Sequence, residues 1–112
     1  MVIDMITNIP GITIWEWITV DRAPAYIRHT TADAYWQPSY GETDGKDRTP
    51  DNSVFVSIPA TSTDYCPKTD DRVVSGIIDD DLPPKTALTV SNVKDLRAIG
   101  SPRVQHIELI LK

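Results

Sequence analysis

Ser53-Val54-Phe55-Val56-Ser57-Ile58 and Val104-Gln105-His106-Ile107-Glu108-Leu109-Ile110-Leu111 place apolar residues at every second position. That is the period of a chain lying half-buried in a sheet. Ile12-Thr13-Ile14-Trp15-Glu16-Trp17-Ile18-Thr19-Val20 repeats it after the Pro10-Gly11 turn signal, and its β-branched content favours strand over helix. Ile12, Ile14, Ile18 and Val20 share one face with Glu16, while Thr13, Trp15, Trp17 and Thr19 share the other.

Working outward, Asp21-Arg22-Ala23-Pro24 reads as a turn into a second strand, from Ala25 to about Thr31 and on to Trp36, with a bulge or bend at Ala32-Asp33. The third strand runs from Ser53 to Pro59. Asp71 to Ile78 reads as a fourth, Lys85 to Val93 as a fifth, and the Val104–Leu111 run as a sixth. Val93-Lys94-Asp95-Leu96-Arg97-Ala98-Ile99 is the one helix-length candidate, two turns long and stopped by Gly100-Ser101-Pro102. The expected fold is therefore all-β: a small six-stranded barrel or sandwich with long loops and at most one short helix. A chain of 112 residues forms one domain, residues 1–112, and buries roughly two thirds of its unfolded surface without needing a disulfide.

Residues 38–52 form a long stretch with almost no apolar content, which includes Gly41-Glu42-Thr43-Asp44-Gly45-Lys46-Asp47-Arg48. Loops of that length inside a compact domain are usually working or mobile segments. Here it reads as a long projecting loop between the second and third strands.

Composition narrows the chemistry. Eleven Lys and Arg are scattered among sixteen Asp and Glu, for a net charge of −5. A phosphate-binding surface needs a basic face, so sequence-specific nucleic-acid binding is not expected, although like charge suits a protein that lets DNA pass without holding it. Cys66 is the only cysteine, which excludes an intrachain disulfide and a multi-cysteine metal site. The N-terminus reaches Asp4 without a basic region, and no apolar run approaches the ~20 residues of a membrane helix. A soluble protein made in a reducing cytoplasm is expected.

The candidate sites are sparse. Asp79-Asp80-Asp81 could hold a hard cation, yet three consecutive acids running into Leu82-Pro83-Pro84 lack the alternating oxygens of a calcium loop and read as a solvated turn. Asp44-Gly45-Lys46-Asp47 lacks the distal glutamate of such a loop. His29 and His106 are too few and too far apart in sequence to suggest zinc. No Gly-x-Ser-x-Gly and no glycine-rich phosphate loop is present. No catalytic, cofactor or metal residues are assigned, and an enzyme is not expected. Trp15 and Trp17 pose a choice: they line the core with the isoleucines under loops, the reverse holds, or one face meets another subunit, where aromatic residues are enriched.

Ile9-Pro10-Gly11-Ile12-Thr13-Ile14, Tyr35-Trp36, Asp51 to Pro59, Asp71-Arg72-Val73-Val74-Ser75-Gly76 and Gly100 to Leu109, in that order, resemble a family of small structural proteins of tailed bacteriophages. Its members are known as minor capsid or head-tail connector proteins in phages of Firmicutes-type hosts. The resemblance implies a head-closure (stopper) protein of the virion neck, assembled in the host cytoplasm as a homo-oligomeric ring. It would sit below the portal and adaptor proteins and above tail-terminator or tail proteins. It also implies that the loop at Gly41, Glu42, Thr43, Asp44, Gly45, Lys46, Asp47 and Arg48 projects into the channel and helps to retain packaged DNA. Two other readings stay open: a tail-terminator or other tail-associated virion protein, and a soluble β-barrel module binding a small ligand or peptide in an apolar pocket.

Overall fold

The computed structural model describes residues 7–38, 53–101 and 104–112. Seven strands form one antiparallel sheet: β1 (Ile12–Val20), β2 (Ala23–Thr30), β3 (Tyr35–Gln37), β4 (Val54–Pro59), β5 (Arg72–Ser75), β6 (Leu88–Asp95) and β7 (His106–Leu111). Their order across the sheet is β2-β1-β5-β6-β7-β4-β3. The all-β expectation holds. The six-stranded barrel does not, because the sheet has seven strands and is not closed.

The extra strand has a local cause. The chain does not continue from β2 to Trp36 but breaks at Ala32-Asp33, and Tyr35–Gln37 pairs instead with Ser57, Val56 and Phe55 of β4, at the far edge. The segment ahead of β1, one strand in from the β2 edge, nevertheless meets the β3 edge. Ile9, just ahead of β1, forms an isolated bridge with Ala34, just ahead of β3. Gly11 makes this crossing possible, since a Cβ there would lie 2.5 Å from the carbonyl oxygens of both Thr31 and Ala32.

The expected helix at 93–99 is also corrected. Val93, Lys94 and Asp95 remain in β6, opposite Leu109, Glu108 and Ile107 of β7. Two turns of helix have too few internal bonds to meet their own nucleation cost, whereas Val93 gains a cross-strand Leu109. The only helical turn among the described residues is a 3-10 turn at Ala60–Ser62. Bounds shift elsewhere too. The fourth strand shortens to Arg72–Ser75 and the fifth moves to Leu88–Asp95, with a bulge between Val90 and Asn92. That bulge lies where β6 passes from β5 to β7, and the extra residue supplies the local bend.

One face of the curled sheet encloses the core. Ile12 and Ile14 of β1 meet Val54, Val56 and Ile58 of β4, Val73 of β5, Val90 of β6, and Ile107, Leu109 and Leu111 of β7. The period-2 runs thus bury the side they advertise. At roughly 1.5–3 kcal/mol for each fully buried aliphatic side chain, this cluster is the main stabilising element of the fold.

Candidate functional site

Along β1 the core face ends at Ile14, and the next residue on that side is Glu16. Its carboxylate is not left in an apolar setting, because three elements bring partners to it. Antiparallel pairing puts Ile27 opposite Glu16 and His29 opposite Ile14, so His29 is the diagonal neighbour of Glu16, within side-chain reach. His29 Nε2 and Glu16 Oε1 are 2.9 Å apart. The connection between β4 and β5 then folds over this end of the core. Thr63 and Tyr65 exchange side-chain-to-backbone hydrogen bonds in a tight local turn, which stacks the Tyr65 ring on His29 at 3.9 Å and nearly parallel. Lys68 Nζ donates to Glu16 Oε2 at 3.1 Å.

Asp71 is the anchor of this connection. It is fully buried, and its carboxylate accepts from the Tyr65 hydroxyl, from the Lys68 amide at 3.0 Å and from the Trp17 amide at 3.0 Å. A buried carboxylate is tolerated only when its lone pairs are satisfied in this way. Burial and the bond to Asp71 push the Tyr65 phenol far above its ordinary range, so Tyr65 is a fixed donor and not a proton-abstracting group. Hydrogen bonds from His29 and then Lys68 hold the Glu16 carboxyl below its usual value. Every group in the cluster is engaged by another, and the arrangement fastens the 63–71 connection to the β1–β2 hairpin.

The residues singled out from sequence fall as follows. Trp15 is fully buried, on the face away from the aliphatic core, and its indole Nε1 donates to the Asp80 carbonyl at 3.0 Å. The covering segment is fixed by Thr13, whose hydroxyl donates to the Gly76 carbonyl and accepts from the Ile78 amide. Trp17, two residues on, is 40 % exposed. The isoleucines Ile12 and Ile14 therefore hold the core, and the two tryptophans have different surroundings.

Asp79, Asp80 and Asp81 are exposed, and Asp79 lies 3.6 Å from Arg28. His106 is held within its own strand end, near the Val104 carbonyl and Glu108, far in the sheet from His29. Among the described residues no three His, Cys, Asp or Glu side chains gather to hold a metal. Burial pushes the Cys66 thiol up, away from the thiolate form that reacts. The segment Gly41 to Arg48 lies outside the described residues.

Two features were missed in the sequence. The first is the cluster just described, whose only visible signal was an acid, Glu16, on an apolar face. The second is the reach of the β1–β2 hairpin. β5 pairs only with Ile12 to Trp15, so the part of the hairpin beyond Trp15 runs past the neighbouring strand. Trp17, Val20 and Ile27 on that arm are 40 %, 50 % and 46 % exposed. Other exposed apolar residues, off the arm, are Ile77, Leu82, Ile99 and Val104. A shallow depression lined by Phe55, Asn92, Lys94, Glu108 and Ile110 holds about 190 Å³, below the ~300 Å³ at which small-molecule sites begin.

No helix among the described residues is long and apolar enough to cross a membrane. Comparisons of the chain with family models, with characterised proteins and with solved structures find no match.

Proposed function

We propose that this chain is a structural component of the neck of a tailed-phage virion, a head-closure (stopper) type connector that works by docking to copies of itself and to its neighbours. The observation that carries the reading is the projecting β1–β2 arm, with Trp17, Val20 and Ile27 exposed in a chain of only 112 residues. Apolar side chains left open on a rigid two-stranded extension suit contact with another protein. Exposed apolar residues elsewhere, Ile77, Leu82, Ile99 and Val104, suit a subunit with several neighbours. A ring multiplies such modest contacts around its axis. In this reading Trp17 supplies the aromatic anchor of the subunit contact, while Trp15 supports it from within.

The reading gives the segment between β3 and β4 its task. The proposed channel role falls on residues 41–48, outside the described residues, whose acids Glu42, Asp44 and Asp47 outnumber Lys46 and Arg48, a balance that suits passage of DNA without adhesion. The absence of an α-helix among the described residues argues against a tail terminator, for which a mixed helix-and-sheet fold is expected.

The test is genetic and structural together. Cryo-electron microscopy of purified particles should place the chain as a ring below the portal. Deletion of Glu42 to Arg48 should leave the far-ultraviolet circular dichroism unchanged and yield particles that lose packaged DNA. Full, DNA-tight heads from that deletion would overturn the gating role, and particles lacking the chain altogether would overturn the neck assignment.

A further inference from the structure

The two edges of the sheet are unlike. At the β3 edge the outward backbone groups are occupied. The Ala34 amide donates to the Ile9 carbonyl at 3.2 Å, and its carbonyl accepts from the Asn8 and Ile9 amides at 2.9 and 3.1 Å. The Trp36 amide donates to Asn8 Oδ1 at 2.7 Å, and its carbonyl accepts from Asn8 Nδ2 at 2.9 Å. Asn8 thus acts as a short substitute for a strand.

Among the described residues, the β2 edge is open. Val20 pairs with Ala23 across the two-residue turn, and the Thr31 amide donates to the Ile12 carbonyl. In an antiparallel ladder alternate residues bond to the partner while those between point away. Pro24, Tyr26, Arg28 and Thr30 are the ones pointing away from β1. Pro24 fits this edge because its missing N–H faces outward. Among the described residues, the outward amides and carbonyls of Tyr26, Arg28 and Thr30 have no hydrogen-bond partner. Of the usual devices against edge-to-edge pairing the strand carries Pro24 at one end and the charged Arg28, but no lysine and no bulge, so the stretch from Tyr26 to Thr30 keeps its outward amides.

We propose that β2 pairs antiparallel with β2 of a second copy of this chain, with Ile27 on the two-fold axis. The closed β3 edge forbids head-to-tail sheet growth, so two copies can join their sheets only through β2 and β2, an isologous contact. The strand is also self-complementary in one register. With Ile27 facing Ile27, Tyr26 exchanges both backbone bonds with Arg28 of the second copy, and the Thr30 amide reaches the second copy's Pro24 carbonyl. Arg28 and the second copy's Tyr26 then share a face, with each Arg28 guanidinium held by its own Ile78 carbonyl at 3.0 Å. Sliding two residues one way sets Arg28 against Arg28, and two residues the other way sets Arg28 against Pro24, which has no N–H to give. A contact one strand wide is small beside the ~1,200 Å² of stable complexes, so the pair is a reversible dimer of the free chain. It goes beyond the neck reading and does not depend on it: a two-fold pair closes on itself and uses the same arm, so pair and ring exclude each other.

The experiment uses the full chain. Sedimentation equilibrium across a rising concentration series should show the mass moving from one chain toward two. Ile27→Lys sets two ammonium groups across the axis and should return the mass to one chain with unchanged circular dichroism. In a Cys66→Ser background, Ile27→Cys places two thiols at a close non-hydrogen-bonded pair, within disulfide reach. Mild oxidation should cross-link it at least tenfold faster than Val20→Cys, which is comparably exposed but off the axis. A mass of one chain at every concentration overturns the proposal, as does a dimer in which Ile27→Cys links no faster than Val20→Cys. If Ile27→Lys fails to fold, the cross-linking comparison decides alone.

Discussion

Glu16 is an acid on the apolar side of a strand, and its charge is kept by neighbours that lie far along the chain. The carboxyl titrates below its usual value because His29 and then Lys68 hydrogen-bond to the ionised form. Its contribution to stability is therefore present above its unfolded value, near 4.5, and is lost as the pH falls through the lowered folded value. Glu16→Gln should melt below the parent at neutral pH, and the gap should close as the pH is taken down below that unfolded value. Thermal melts of both proteins across that range measure it. A gap that stays constant into acid would show that the ionised form makes no special contribution. Of this cluster only Glu16 was legible in the sequence, as a misfit among isoleucines. Lys68 and Asp71 are more than fifty residues away, and only the folding of the 63–71 connection onto β1 makes them neighbours.

At the scale of elements, the β1–β2 hairpin shows what local pattern can and cannot tell. The turn at Asp21-Arg22 is readable from its polar residues between two strands. Its type is not, since neither residue is glycine or asparagine, yet both adopt positive φ, 52° and 67°. That is the two-residue turn whose twist matches the flanking strands, and an arginine in the left-handed region costs about 1–2 kcal/mol. Arg22→Gly should therefore stabilise the protein by roughly 1 kcal/mol, net of the greater freedom glycine gives the unfolded chain. A melting temperature unchanged or lowered in that variant would contradict the argument. The 93–99 segment failed in the opposite direction. Over seven residues, an apolar spacing compatible with helix is also compatible with a strand end followed by a turn. Pairing of Val93 with Leu109 decided it, and that partner is distant in sequence. Tyr35 and Trp36 read in sequence as the end of the second strand, and their separate pairing with β4 leaves no mark in so short a run.

For the molecule as a whole, the alternating runs foretold which side chains are buried but not how the strands are ordered. Pairing of β1 with β5, and of β4 with β7, follows from a shared core and leaves no mark in any one segment. The join at Ile9 and Ala34 ties the start of β1 to the β3 edge across that core, and Gly11 sits beside it, against the Thr31 and Ala32 carbonyls. Gly11→Ala drives a methyl group into two backbone carbonyls that cannot swing aside as a side chain would. The expected cost is about 1–3 kcal/mol, or a fall of roughly 4–20 °C in Tm for a domain of this size. An alanine variant melting with the parent would show that the join contributes little.

The position of β7 carries a consequence for biosynthesis. His106–Leu111 is translated after every other strand, yet it lies between β6 and β4 and binds both. A ribosome that has delivered residues through β6 has released two half-sheets whose inner margins have nothing between them, and the apolar faces of both remain wet. Assembly of this sheet must wait for β7 to emerge, so until then the waiting half-sheets depend on prompt delivery of that strand, or on a holding factor, to avoid joining those of neighbouring nascent copies.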